Sequence, residues 1–98
     1  MDIQFRFNHT QLSIVALQSA GIRSVKLLEE SFYDPYGKLI DITNSTDSLS
    51  LFVSFGFCDS MLPILFIFET EGDTIISKQA RLLTREDIKK YYCGVLHS

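Results

Sequence analysis

The sequence predicts one α+β domain spanning residues 1–98. We expect a single antiparallel sheet of about five or six strands, a helix after strand one, a C-terminal helix, and both helices on one face of the sheet. Three observations predict this class. Several segments alternate apolar and polar side chains, two segments repeat them at helical spacing, and 98 residues with 46% hydrophobic content suit a single core.

The first two elements are a strand and a helix. Apolar and polar side chains alternate from Ile3 to Phe7, which predicts a strand with one buried face. Apolar residues at helical spacing then continue to Ala20, with Asn8 or Thr10 as the candidate N-cap. Gly21 is expected to end the helix in a left-handed conformation, with Ile22 packing back against it.

The segment from Ser24 to Tyr33 fits two structures. Val25 and Leu27 alternate as in a strand, whereas the run Leu28-Glu29-Glu30 also suits a helix. The next four residues, Asp34-Pro35-Tyr36-Gly37, have the composition of a type I β-turn. We therefore interpret the region as a hairpin in which strand two enters the turn and Lys38 to Thr43 leaves it, and the helical alternative for the first arm stays open.

Three further strands and a helix complete the domain. Strands are predicted at Leu49 to Phe57, Leu62 to Phe68 and Ile75 to Leu83, with a turn over Cys58 to Met61. The second of these is apolar on both faces, which predicts the central strand. Thr84, with Asp87 three residues on, forms a capping box that begins the last helix, and Gly94 is expected to end it.

The central strand also predicts an association. Ile64 and Phe66 point to one side of it, while Leu65 and Ile67 point to the other. Two short helices on one face leave the second face uncovered, and large exposed apolar patches are unusual on soluble monomers. We expect a homodimer or the functional partner to cover that face, the alternative being a sheet that curls over its own second face.

The N-terminus and the cysteines indicate the compartment. Asp2 and the absence of a continuous apolar stretch near Met1 argue against a secretory signal, so we expect a cytoplasmic protein. Cys58 and Cys93 are then expected to be thiols. The apolar window from Leu49 to Phe68 is long enough to cross a bilayer, but an acid at its centre disfavours a membrane span.

The sequence contains no recognisable catalytic, cofactor or metal motif. It has no glycine-rich phosphate loop, paired-cysteine motif, EF-hand loop or zinc-protease helix, and His9 and His97 lack metal-ligand neighbours at suitable spacing. Glu69, Glu71 and Asp73 alternate as paired carboxylates or divalent-cation ligands would, but Gly72 favours a solvated turn. We expect no catalytic residue, no cofactor and no metal site.

The charge distribution is the most informative feature. The segment from residue 29 to residue 73 holds nine acids against Lys38 alone, a net charge of about −8, while both ends of the chain are basic. We take these acids as the candidate partner-binding residues: Glu29, Glu30, Asp34, Asp41, Asp47, Asp59, Glu69, Glu71 and Asp73. Clustered at one end of the sheet, they would attract a basic protein. The alternative is that the basic final helix neutralises them internally.

Size, acidity and the absence of a reaction centre favour a binding protein. The leading hypothesis is a non-enzymatic inhibitor of a basic protein through an acidic surface, such as an immunity protein or antitoxin that neutralises a nuclease toxin. It predicts no direct nucleic-acid binding and no membrane contact. The first alternative is a small enzyme or ligand-binding module with a pocket between sheet and helices, using Tyr91, Tyr92, His9 or the carboxylates. The second is a structural subunit of a larger assembly.

Overall fold

A five-stranded mixed sheet forms the centre of the protein, in a computed structural model that describes residues 5–43 and 50–90. The described elements, in chain order, are β1 (Arg6–Asn8), α1 (Ile14–Ser19), α2 (Lys26–Phe32), β2 (Lys38–Asp41), β3 (Ser50–Phe57), β4 (Pro63–Glu71), β5 (Thr74–Leu82) and α3 (Arg85–Ile88). The α+β class is confirmed.

The sheet is mixed and not wholly antiparallel as predicted. Its strand order is β1-β5-β4-β3-β2, and the four strands from β2 to β5 pair antiparallel. β1 lies at the far edge and pairs parallel with β5, with Phe7 opposite Ile75. Strands β3, β4 and β5 follow one another through short turns, which require antiparallel pairing. No short turn joins β1 to a neighbouring strand, so its direction is free of that constraint.

The predicted second strand is a helix. Lys26–Phe32 forms α2, which buries Leu28 and Ser31 three residues apart on one face. The predicted turn is present, since the backbone N–H of Gly37 donates to the Asp34 carbonyl at 3.0 Å. The turn therefore joins a helix to a strand, and its composition could not tell which kind of element precedes it.

Helix α1 begins later than predicted and ends as predicted. Ser13, not Asn8 or Thr10, caps it by accepting a hydrogen bond from the Ala16 N–H at 3.1 Å. Gly21 has a φ of 89°. The next residue, Ile22, donates its N–H to the Leu17 carbonyl at 2.9 Å and has no exposed surface. The Schellman-type ending is thus confirmed.

Two apolar clusters cover opposite faces of the sheet. On one face, α1 and α2 pack over the buried cluster of Leu17, Ile22, Leu28, Cys58, Ile64, Phe66, Phe68 and Ile75. On the other face, Ile88 of α3 packs against a second buried cluster formed by Val53, Phe55, Leu65 and Leu83. The prediction that both helices share one face is wrong, because the chain emerges from β5 on the side of Leu83. A homodimer through the second face stays a prediction.

Three other predictions are confirmed within the described residues. β4 is the central strand, and the Thr84 capping box is complete, with Thr84 Oγ1 accepting from Asp87 N–H and Asp87 Oδ2 accepting from Thr84 N–H. Cys58 is a buried free thiol. Tyr91, Tyr92, Cys93, Gly94 and His97 lie outside the described residues. Within residues 5–43 and 50–90, no helix is long and apolar enough to span a membrane.

Candidate functional site

A surface groove of about 860 Å³ lies between the C-terminal half of α2, the turn after it, and the turn between β3 and β4. We call it the α2 groove. Its lining residues are Lys26, Glu29, Glu30, Tyr33, Asp34, Pro35, Tyr36, Phe57, Cys58, Asp59 and Met61. Most of its surface is apolar, and charged side chains surround that apolar floor.

The amphipathic character of α2 explains one wall of the groove. Leu28 and Ser31 face the sheet, and the Ser31 hydroxyl donates to the Leu28 carbonyl at 2.8 Å. The helix surface that faces solvent therefore carries Glu29 and Glu30. Tyr33 ends the helix, half exposed, with its ring packed edge-on against Phe32.

A tight turn builds the opposite wall. The Met61 N–H donates to the Cys58 carbonyl at 2.8 Å, and the Cys58 N–H donates to the Leu62 carbonyl at 3.1 Å. Met61 adopts a φ of 66°, a left-handed conformation that is uncommon for a residue with a long side chain. The residue is 71% exposed. The turn therefore presents a large, flexible apolar group to solvent.

Four carboxylates meet at this groove. Asp34 accepts from the Tyr36 N–H at 3.0 Å through Oδ1 and from the Phe57 N–H at 2.8 Å through Oδ2. Glu30 Oε1 accepts from the Asp59 N–H at 3.0 Å, which ties α2 to the β3–β4 turn. Glu29 is the fourth. Among the described residues, Lys26 is the one cation that lines the groove, so the local charge is negative.

The other predicted acids lie elsewhere. Glu69, Glu71 and Asp73 belong to the β4–β5 hairpin, a strand length of about 25 Å from the groove. Glu69 pairs with Lys78 at 3.0 Å, and Asp73 approaches Arg6 at 4.0 Å. Within the described residues, the acidic segment thus divides between two ends of the sheet, and the acids of the groove end lie beside the exposed residues Tyr36 and Met61.

Asp41 and Asp47 complete the set of predicted acids. Asp41 is exposed at the end of β2, where its Oδ1 accepts from the Thr43 N–H at 2.8 Å. Hydrogen bonding to Thr43, through its side chain and then its backbone, lowers the pKa of Asp41 below the ordinary value. Asp47 lies outside the described residues. The Asp41 carboxylate is therefore hydrogen-bonded to the nearby Thr43 and does not line the α2 groove.

A partly buried polar network lies beside the groove. His9 Nδ1 is 2.7 Å from Ser77 Oγ, and His9 Nε2 is 3.0 Å from Glu29 Oε2. These contacts join the residue after β1 to α2 and β5. Ser77, His9 and Glu29 are connected in the same order as the serine, histidine and carboxylate of a hydrolytic triad. However, Ser77 has no exposed surface, so its hydroxyl is placed to hold the elements together and not to attack a substrate.

The described carboxylates and His9 do not form a metal site. In the part of the chain that the structure describes, no three His, Cys, Asp or Glu side chains converge to hold an ion. The alternating acids at 69, 71 and 73 are divided between ion pairing and solvent. The α2 groove is therefore suited to binding through carboxylates and apolar contact.

Comparison with known proteins gives no relative: no family model, no curated protein and no solved structure matches the chain. The function of the groove must therefore be argued from its own chemistry.

The sequence did not single out the apolar part of the groove. Tyr36 is 86% exposed in the turn before β2, and with Tyr33 and Met61 it forms the accessible apolar surface. An aromatic residue inside a polar turn was the available signal for Tyr36. Nothing in the sequence indicated that Met61 would take a left-handed φ, because that conformation arises from the closure of the β3–β4 turn.

Proposed function

We propose that this chain is a small non-enzymatic binding protein that inhibits a basic protein partner, in the manner of an immunity protein or antitoxin. The α2 groove is the contact site in this proposal. One observation carries it: four carboxylates surround an accessible apolar surface made by Tyr33, Tyr36 and Met61.

The apolar surface supports a protein partner. Tyr and Met are enriched at protein interfaces, where a ring or a flexible thioether contributes contact area at low entropic cost. Tyr36 at 86% and Met61 at 71% exposure contribute little to the core. A partner that covers these two residues would bury their apolar surface and so account for their exposure in the free chain.

The charges support a basic partner. The Glu30 carboxylate accepts a hydrogen bond from the Asp59 backbone N–H at 3.0 Å, and both acids line the groove. A Lys or Arg side chain can pair with these carboxylates while its stem or guanidinium contacts the ring of Tyr36. The same negative field accelerates encounter with a basic protein and repels nucleic-acid phosphates.

Matched baits test the proposal. Immobilised wild-type chain, Tyr36→Ala and Asp59→Lys are used in parallel to capture proteins from the native host, and captured proteins are identified by mass spectrometry. We expect a basic protein on the wild type that is lost from both variants. With the purified partner, Tyr36→Ala should weaken binding about 30-fold or more, the effect of a typical hot spot.

Glu71→Lys is the matched control, because it reverses an exposed acid at the distant hairpin. This variant should retain the partner, whereas Asp59→Lys should slow association about tenfold and reduce its dependence on salt. The purified partner should lose its own activity when wild-type chain is added. An acidic partner, or equal loss of binding in Glu71→Lys, would contradict the assignment of the groove.

A further inference from the structure

β2 forms the second edge of the sheet as the described residues build it. The Ile42 N–H donates inward to the Leu51 carbonyl at 2.9 Å. Antiparallel strands alternate inward and outward hydrogen-bonding residues, so Ile40 bonds inward while Leu39 and Asp41 direct their N–H and C=O groups outward. Within residues 5–43 and 50–90, no strand pairs with this edge.

Exposed aliphatic side chains lie on both faces of the same edge. Leu39 is 62% exposed on the α2 face, while Ile40 at 40% and Ile42 at 42% are exposed on the α3 face. Edge strands of monomeric proteins are usually protected by charge, proline or a bulge. β2 has a charged residue at each end, Lys38 and Asp41, but it has no proline, and Leu39 and Ile40 between them and Ile42 just after the strand are exposed. Its middle is therefore suited to pairing with another strand.

We propose that β2 pairs antiparallel with β2 of a second copy of this chain, which joins two five-stranded sheets into one. A two-fold axis perpendicular to the sheet keeps corresponding faces together. Centred on Ile40, it pairs the outward groups of Leu39 with those of the partner's Asp41, and the reverse, giving four backbone hydrogen bonds.

The strand is complementary to itself in this register. Ile40 meets Ile40 of the partner subunit on the α3 face, and Ile40 is also the register partner of the buried Val53. The contact therefore continues the second apolar cluster across the axis. Lys38 and the partner's Lys38 lie four residues apart along the strands, about 13 Å, and Asp41 lies opposite the partner's Leu39, so no like charges are directly opposite each other. These features favour a second copy over a foreign strand.

Disulfide cross-linking tests the register. Ile40 and its copy form a non-hydrogen-bonded pair, with Cα atoms about 4.5 Å apart, which a disulfide spans. Ile40→Cys should therefore form a covalent dimer under mild oxidation. Leu39→Cys is the matched control, because Leu39 lies on the other face opposite the partner's Asp41. The wild type reports any cross-link through Cys58 or Cys93.

Sedimentation equilibrium tests the association itself, independently of the proposed inhibition. We expect the wild-type chain to show twice the monomer mass. The dimer dissociation constant of Leu39→Pro should be at least about tenfold higher, because proline removes a backbone N–H donor that points outward. The hydrogen bonds that Ile40 makes inward to β3 remain. Leu39→Lys, which keeps the backbone donor, should weaken the dimer in the same direction. A strictly monomeric wild type, equal cross-linking of both cysteine variants, or an unaltered dimer in Leu39→Pro and Leu39→Lys would overturn the proposal.

Discussion

Asp34 Oδ2 accepts a hydrogen bond from the backbone N–H of Phe57 at 2.8 Å, which fixes the turn after α2 to the end of β3. The other oxygen of Asp34 accepts from the Tyr36 N–H at 3.0 Å. One carboxylate therefore holds both Tyr36 and the strand that leads into the β3–β4 turn. An acid predicted for partner binding is also a structural residue of the α2 groove.

Asp34→Ala should lower the free energy of unfolding by about 1.5 to 3 kcal/mol, since two backbone donors lose a charged acceptor. Denaturant titration measures this. Asp41→Ala is the matched control, because it removes an exposed carboxylate that accepts from the Thr43 N–H outside the groove. Equal loss in the two variants would show that Asp34 has no special role in the fold.

Close packing of α2 on β3 depends on Gly56. A Cβ at this position would collide with the carbonyl oxygen of Ser31, which belongs to the backbone and cannot turn aside. Gly56→Ala should cost about 3 kcal/mol, as overpacking typically does. A Cβ at Gly72 meets no atom within 4 Å, so Gly72→Ala is disfavoured only by the φ of 62° and should lower the free energy of unfolding by about 1 kcal/mol. Thermal melts that rank them in the opposite order would contradict this packing.

The capping box of α3 gives a third prediction. Thr84→Ala removes the hydroxyl that accepts from the Asp87 N–H at 3.1 Å, and should lower the free energy of unfolding by about 0.5 to 2 kcal/mol. Thr84→Ser keeps the acceptor and serves as the control. Near-equal melting temperatures for Ala and Ser would show that the cap does not stabilise the domain.

Asp87 makes stability dependent on acid pH. Its hydrogen bond to Arg81, and then to the Thr84 N–H, holds the pKa of Asp87 well below its usual range. A lowered folded-state pKa means that the carboxylate stabilises the fold above the unfolded value near 4, and that this stability is lost as pH falls through the folded pKa. The difference in unfolding free energy between wild type and Asp87→Asn should therefore be constant at neutral pH and shrink below about pH 4. A difference that grows on acidification would contradict this linkage.

The network of His9, Ser77 and Glu29 gives a fifth prediction, tested by a double-mutant cycle. His9→Ala leaves the buried Ser77 hydroxyl without its partner at 2.7 Å, and should cost about 1 to 3 kcal/mol. In a Ser77→Ala background the same change should cost less, because no buried hydroxyl remains to be satisfied. Fully additive costs would show that the two side chains stabilise the fold independently.

The sequence by itself determined those features that depend on local pattern. Alternation located the strands from β3 to β5 and identified β4 as central, since a strand apolar on both faces needs cover on both sides. Gly21 and the Thr84 capping box were predictable because helix ends satisfy their free backbone groups with nearby residues. The acids of the α2 groove could likewise be named, because charge is a property of composition.

Only the tertiary structure decided the elements whose local signals were balanced. Lys26–Phe32 forms a helix that buries Leu28 in the core and packs the Ser31 carbonyl against Gly56, a contact between residues about 25 positions apart. The parallel pairing of β1 and the place of α3 on the second face are also long-range. The groove itself follows from these contacts: the strand reading of residues 24–33 would not place Glu29, Tyr36 and Met61 around one surface. Local sequence pattern determines an element where it clearly favours a helix or a strand. Where the two have similar local free energy, burial against residues distant in the sequence decides between them.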